Sequence, residues 1–157
     1  MASFTKSQID RLGERLRKGS PSEADLRLLD EYRRSFGEAY DGVVRTIRKR
    51  LNLRPGGRPA KSTTSIIEKL RRESIRLTQV QDIAGCRVIV ANVKAQDRAV
   101  QLLCQAFPNA IIMDRRTNPS HGYRAVHVIV TMSETLIEIQ VRKHLATPVG
   151  RVFRETI

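Results

Sequence analysis

Apolar positions recur with two different periods along this chain, and the change of period marks where helices give way to strands. Ile9, Leu12 and Leu16 fall on one face of a helix over 5–18, which Gly19-Ser20-Pro21 ends. Ser22 with Asp25 three residues on is a capping-box start. Leu26, Leu29, Tyr32, Phe36, Tyr40, Val43, Ile47 and Leu51 then recur at steps of three and four, which predicts helix across 22–51 that Gly37 and Gly42 weaken without breaking. Arg54-Pro-Gly-Gly-Arg-Pro-Ala-Lys61 reads as a loop by its prolines and glycines. Ser62 or Thr63 can cap the next helix, with Ile66, Ile67 and Leu70 toward the core and Ser65, Lys69 and Arg72 at i, i+4 and i+7. Beyond it, the β-branched run over 80–90 predicts a strand, 93–107 a helix that Pro108 closes, and 110–113 a short strand.

After a polar loop over 114–121, two further strands follow, Gly122-Tyr-Arg-Ala-Val-His-Val-Ile-Val130 and Leu136-Ile-Glu-Ile-Gln-Val-Arg142. Side chains alternate faces in a strand. Val126, Val128 and Val130 therefore oppose Tyr123, Ala125 and His127, while Ile137, Ile139 and Val141 oppose Leu136, Glu138, Gln140 and Arg142. If the apolar faces pair, Tyr123, His127, Glu138 and Gln140 share a wet face. Asp82 sits at the start of the strand over 80–90. Strict alternation sets it opposite Arg87, so either Gly85 marks a bulge or only one of the two is functional. The expected fold is α+β, a mixed β-sheet of four to five strands built from Asp82 onward and flanked by the helices of the N-terminal half. It is read as one domain over 1–157, with a helical part at 1–53, a catalytic core at 54–143 and a short tail at 144–157.

Composition narrows the partners. In 157 residues, 29 Lys+Arg stand against 16 Asp+Glu, a formal charge of +13, which asks for an anionic partner, nucleic acid or phosphorylated small molecules. The stretch 45–61 carries seven basic residues and no acid. Aromatics at 4% argue against a base-stacking platform. Cys86 and Cys104 lack metal-ligand spacing and lie in apolar segments, so they read as reduced core thiols of a cytoplasmic protein. No apolar run reaches the roughly 20 residues of a membrane helix, so no membrane partner is expected.

The chemistry lies in a combination. Asp82 and Glu138, on two strands of one sheet, would give the hard oxygen ligands of a Mg²⁺-nucleotide site, and the preceding basic loop and helix N-terminus would hold phosphate charge. Four segments arriving in order, Arg58-Pro-Ala-Lys61-x-x-x-Ser65-x-x-x-Lys69, Asp82-Ile-Ala-Gly-Cys-Arg87, Gly122-Tyr-Arg-Ala-Val-His127 and Glu138-Ile-Gln-Val-Arg142, resemble the RelA/SpoT-type alarmone synthetases, and among them the small single-domain members. The resemblance implies a nucleotidyltransferase-like fold and transfer of pyrophosphate from ATP to the 3′-hydroxyl of GDP or GTP, with Mg²⁺ as cofactor. It implies that Arg58, Lys61, Ser65, Lys69 and Arg87 bind ATP and that Asp82 and Glu138 hold the metal, Glu138 also activating the hydroxyl. Tyr123 would stack on the acceptor's guanine, with His127 and Gln140 lining its pocket.

The chain departs from that pattern in places. Two residues separate Arg58 from Lys61 where the family has one, Met113 and Ser120 stand where many members carry basic residues, and Lys143 replaces a threonine. With the basic stretch 45–61, these departures motivate a second reading, a toxin-like relative that modifies the tRNA 3′ end and pairs with an antitoxin protein. A third is a non-catalytic RNA- or protein-binding relative. A homo-oligomer is compatible with each.

Overall fold

Capping chemistry sets the first two helices of the computed structural model, which describes residues 4–58, 60–117 and 124–144. Thr5 and Gln8 close a capping box on α1 (Lys6–Lys18), which buries Ile9, Leu12 and Leu16. Ser22 and Asp25 do the same for α2 (Glu23–Arg34). The helix expected across 22–51 is two helices. The Ser35 amide and hydroxyl both turn back to carbonyls of the last turn of α2, the hydroxyl donating to Tyr32 at 2.5 Å. Phe36 packs edge-on against Tyr32 with ring centroids 5.1 Å apart. The apolar stripe resumes in α3 (Gly37–Thr46) and a π-wound turn (Ile47–Leu51), which ends at Asn52 with φ 54°. Leu26, at the head of the stripe, is exposed, but Leu29, Tyr32, Phe36, Val43, Ile47 and Leu51 face one core on both sides of the break, so periodicity could not reveal it.

Prolines and glycines suggested only a loop over 54–61, yet Gly56–Arg58 form an edge strand, β1. It pairs antiparallel with β2 (Gly85–Val90), so the sheet takes its fifth strand from ahead of Asp82 rather than from 82 onward. Gly57 permits this: its φ is +147°, and a Cβ there would lie 2.7 Å from the Gly85 carbonyl oxygen and 2.8 Å from the Cys86 Cα. Ser62 caps α4 (Thr63–Arg72), on which Ile66 and Leu70 are fully buried. A 3₁₀ turn (Leu77–Gln79) leads toward β2, and Asn92 caps α5 (Val93–Ala106).

The remaining strands are β3 (Ile111–Asp114), β4 (Ala125–Met132) and β5 (Thr135–Lys143). The order β1-β2-β5-β4-β3, with only the β2–β5 pair parallel, makes a mixed five-stranded sheet with flanking helices, the α+β class expected. Ser133 and Glu134, both at positive φ, form the two-residue turn of the β4–β5 hairpin. Cys86, Val88 and Val90, with the 126/128/130 and 137/139/141 triplets, face the core, and α3 and α5 pack against β4 and β5. Cys86 is a free thiol pushed up to about 12 by burial and the nearby Glu138 carboxylate, and Cys104 is also free. Among the described residues no helix is long and apolar enough to cross a membrane.

The two neighbouring glycines of β1 give an internal control. A Cβ at Gly56 would meet nothing within 4 Å, whereas at Gly57 it would strike backbone. Gly57→Ala is expected to lower unfolding stability by about 1–3 kcal/mol and Gly56→Ala by less than about 0.5 kcal/mol, measured by denaturant titration. Equal effects would mean that β1 does not hold this register.

Candidate active site

The outward face of the sheet carries the chemistry. Direct cross-strand partners share a face, so the rows Gly85–Glu138–Ile129 and Arg87–Gln140–His127–Met113 run side by side across it. Glu138 is held firmly there. Its amide donates to the Ala84 carbonyl at 3.2 Å, and its Oε1 accepts from Gln140 Nε2 at 2.8 Å. The His127 Nδ1 lies 3.3 Å from its Oε2. Only 9% of the residue is exposed, an environment that by itself raises a carboxyl pKa. The hydrogen bonds from His127 and Gln140 outweigh burial and the repulsive field of Asp82, so Glu138 sits below its ordinary value.

Asp82 reaches the same place differently from the expectation. β2 begins three residues later, at Gly85, and Asp82 stands in the turn at 81–84. The alternation that set it opposite Arg87 therefore does not apply, because a turn residue has no strand face. Nor is Gly85 a bulge. It opens a regular ladder, and a Cβ there would lie 2.9 Å from the Glu138 carbonyl oxygen, so the missing side chain lets β2 and β5 approach closely beside that turn.

Lys61 Nζ donates to Asp82 Oδ2 at 2.8 Å and Lys69 Nζ to Oδ1 at 3.0 Å. Burial alone would raise the Asp82 pKa, but the two ammonium groups overcome it and leave the carboxyl lowered. Lys61 is fixed through its backbone: its amide donates to the Ile83 carbonyl, and Arg33 Nε of α2 donates to its carbonyl at 2.8 Å. Lys69 projects from the last turns of α4, one turn from Glu73, whose Oε2 lies 3.8 Å away.

A cavity of about 450 Å³ joins these groups, with Lys69, Asp82, His127, Glu138 and Gln140 in its wall. Lys61 adjoins it through Asp82. Ser65 does not line it and instead accepts from the Ser62 hydroxyl at 2.8 Å in the first turn of α4. Arg87 is exposed beside Gln140 in register, outside the wall. The Arg58 backbone pairs with Gly85, while its side chain, like Tyr123 and the tail from 145 onward, lies outside the described residues. Sequence reasoning missed Glu73, Gln79, Gln81 and Arg115 in the wall and Arg33 behind Lys61. Arg115 alone had a readable signal, since it follows Met113 by two along a strand direction. A larger hollow of about 910 Å³, bounded by Phe4, Tyr32, Phe36 and Leu136, contains neither Asp82 nor Glu138.

Known proteins share this arrangement of chain. The small alarmone synthetase 1 from Bacillus subtilis superposes with a TM-score of 0.53 at 27% identity, over 86% of this chain and 76% of that one. The uncharacterized proteins Rv1366 of Mycobacterium tuberculosis and Mb1401 of Mycobacterium bovis are each 37% identical over 87 residues, 53% of this chain. The match spans 32% of the length of those curated relatives. Residues 57–151, more than half of the chain, match the family described as "Region found in RelA / SpoT proteins", and they include Asp82, the parallel β2–β5 pair and Glu138: the chain belongs to the RelA/SpoT family.

Proposed function

We propose that this protein is a pyrophosphotransferase that moves the β,γ-pyrophosphate of ATP to the 3′-hydroxyl of GDP or GTP. The observation that carries the reading is one cavity holding two ionised carboxylates in unlike settings, Asp82 between two lysines and Glu138 between an imidazole and an amide. Unlike settings suit unlike tasks. The acceptor oxygen attacks the β-phosphorus, the bond from that phosphorus to the α–β bridging oxygen breaks, and AMP leaves. The hydroxyl proton passes to Glu138, whose carboxylate His127 and Gln140 orient. Lys61 and Lys69 supply positive charge for the ATP phosphates, and release from Asp82 frees them to do so.

Asp82 and Glu138 are the residues that would hold Mg²⁺. The donor set fits: both are hard oxygen ligands, and Asp82 already concentrates enough negative potential to bind two cations. When bound, the ion would neutralise charge on the transferring phosphates.

The direct test is incubation with γ-labelled ATP, Mg²⁺ and GDP, GTP or bulk tRNA. Label in a guanosine polyphosphate is the expected result. Label on tRNA would move the acceptor to an RNA 3′ end, and no label with any acceptor would sink the proposal. Glu138→Gln, which keeps the shape and loses the base, is expected to cut turnover by at least about 100-fold while ATP affinity stays within about twofold. Retained turnover in that variant would remove Glu138 from the role of base.

Acid sensitivity follows from the same pairs. Both carboxyls have lowered folded-state values, so their ionised form, and the stability it contributes, is complete above the ordinary carboxylate pKa of about 4. Both are lost only as pH falls through the lowered values. The acid limb of kcat/KM is therefore expected below about pH 5. A limb centred near 6 or above would show that a different group governs proton transfer.

A further inference from the structure

The cavity wall is short of positive charge for a reaction between two polyphosphates. Its fixed charges among the described residues are the carboxylates Glu73, Asp82 and Glu138 against the cations Lys69 and Arg115. Lys69 is already engaged with Asp82 and lies near Glu73. Arg115 makes no ion pair with any described residue, although its neighbour Arg116 is bound to Asp114 at 2.7 Å and Asp97 at 2.5 Å. The contrast is built by the backbone. The Arg115 amide donates to the Ala125 carbonyl at 2.9 Å, which prolongs the β3–β4 ladder by one residue and keeps Arg115 on the cavity side with Met113. Asp114, on the opposite side, takes Arg116 with it.

Position then assigns the ligand. Asp82, with the two lysines, enters the cavity from the turn before β2, at one side of Glu138. Met113 and Arg115 lie at the other side, across β4. With Lys61 and Lys69 given to the ATP phosphates at the Asp82 side, the β3 side is left to the acceptor. We infer that Arg115 binds the 5′-phosphates of the acceptor nucleotide and thereby selects a nucleoside di- or triphosphate over an uncharged nucleoside. A guanidinium suits this task because its planar fork can grip two phosphate oxygens together. Met113 beside it offers apolar surface and no competing charge.

This inference rests on the pyrophosphotransferase reading, and its test separates the two. Steady-state transfer would be measured with GDP as the varied acceptor at saturating ATP, together with ATP affinity, for wild type, Arg115→Ala, Arg115→Lys and the charge-matched control Arg98→Ala on exposed α5 surface. Arg115→Ala is expected to raise the GDP KM roughly 10- to 100-fold, as for loss of a charge-assisted hydrogen bond, with kcat and ATP affinity little changed. Arg115→Lys should recover part of the loss, and Arg98→Ala should leave KM unchanged. An unaltered GDP KM in an active Arg115→Ala enzyme, or an equal rise with Arg98→Ala, would overturn the inference and leave the function standing. A weakened ATP affinity in place of a GDP effect would overturn it too, by assigning Arg115 to the donor. Absence of any transfer by wild type would overturn the function and this inference together.

Discussion

The parallel pairing of β2 with β5 is the constraint on which the site depends. It places Gly85 opposite Glu138, and the absent side chain at Gly85 lets the two backbones close beside the turn that carries Asp82. Fifty-six positions separate the two carboxylates in the chain, from 82 to 138, so only this pairing can bring them to one cavity. Parallel neighbours need a long crossover. Here it runs through α5, β3 and β4, so the connection itself supplies a helix for the core face, the strands that carry His127 and Met113, and Arg115 just past the end of β3.

Charge in this region is arranged rather than merely abundant. A surplus of 13 positive charges over the chain does not make the cavity positive, because its lysines are matched by Asp82 and Glu73. That balance lets two ammonium groups and the Asp82 carboxylate, all partly buried, stand together, each offsetting another's desolvation. Among the described residues no buried side-chain polar atom is left without a hydrogen bond. In the proposed reaction, ligand phosphates and a divalent ion would exchange partners within this set, anion for anion and cation for cation.

Sequence reading went wrong where geometry is set by distant parts of the chain. The stripe from Leu26 to Leu51 is continuous, but helical bonding lapses at Ser35 and Phe36, a two-residue break that an apolar period averages over. Gly56 and Gly57 look like loop residues because glycine is a poor strand former. They form β1 because Gly57 alone tolerates the contact with β2. The β-branched run after Asp82 predicts a strand that includes it, whereas the strand starts at Gly85, where Glu138 is there to pair.

Alternation within β4 and β5 determined locally that Val126, Val128, Val130, Ile137, Ile139 and Val141 face the core and that His127, Glu138 and Gln140 face outward, because side-chain direction in a strand has a period of two whatever the strand pairs with. Capping by Thr5 and Ser22 was equally local, since each bond spans three residues. The tertiary structure alone decided that Asp82 is clasped by two lysines, that Arg33 holds the backbone of one of them, and that Arg115 opens on the cavity while Arg116 is tied behind it. These depend on strand order and the packing of helices against the sheet. Both are settled by contacts between residues far apart in the chain, which no local pattern encodes.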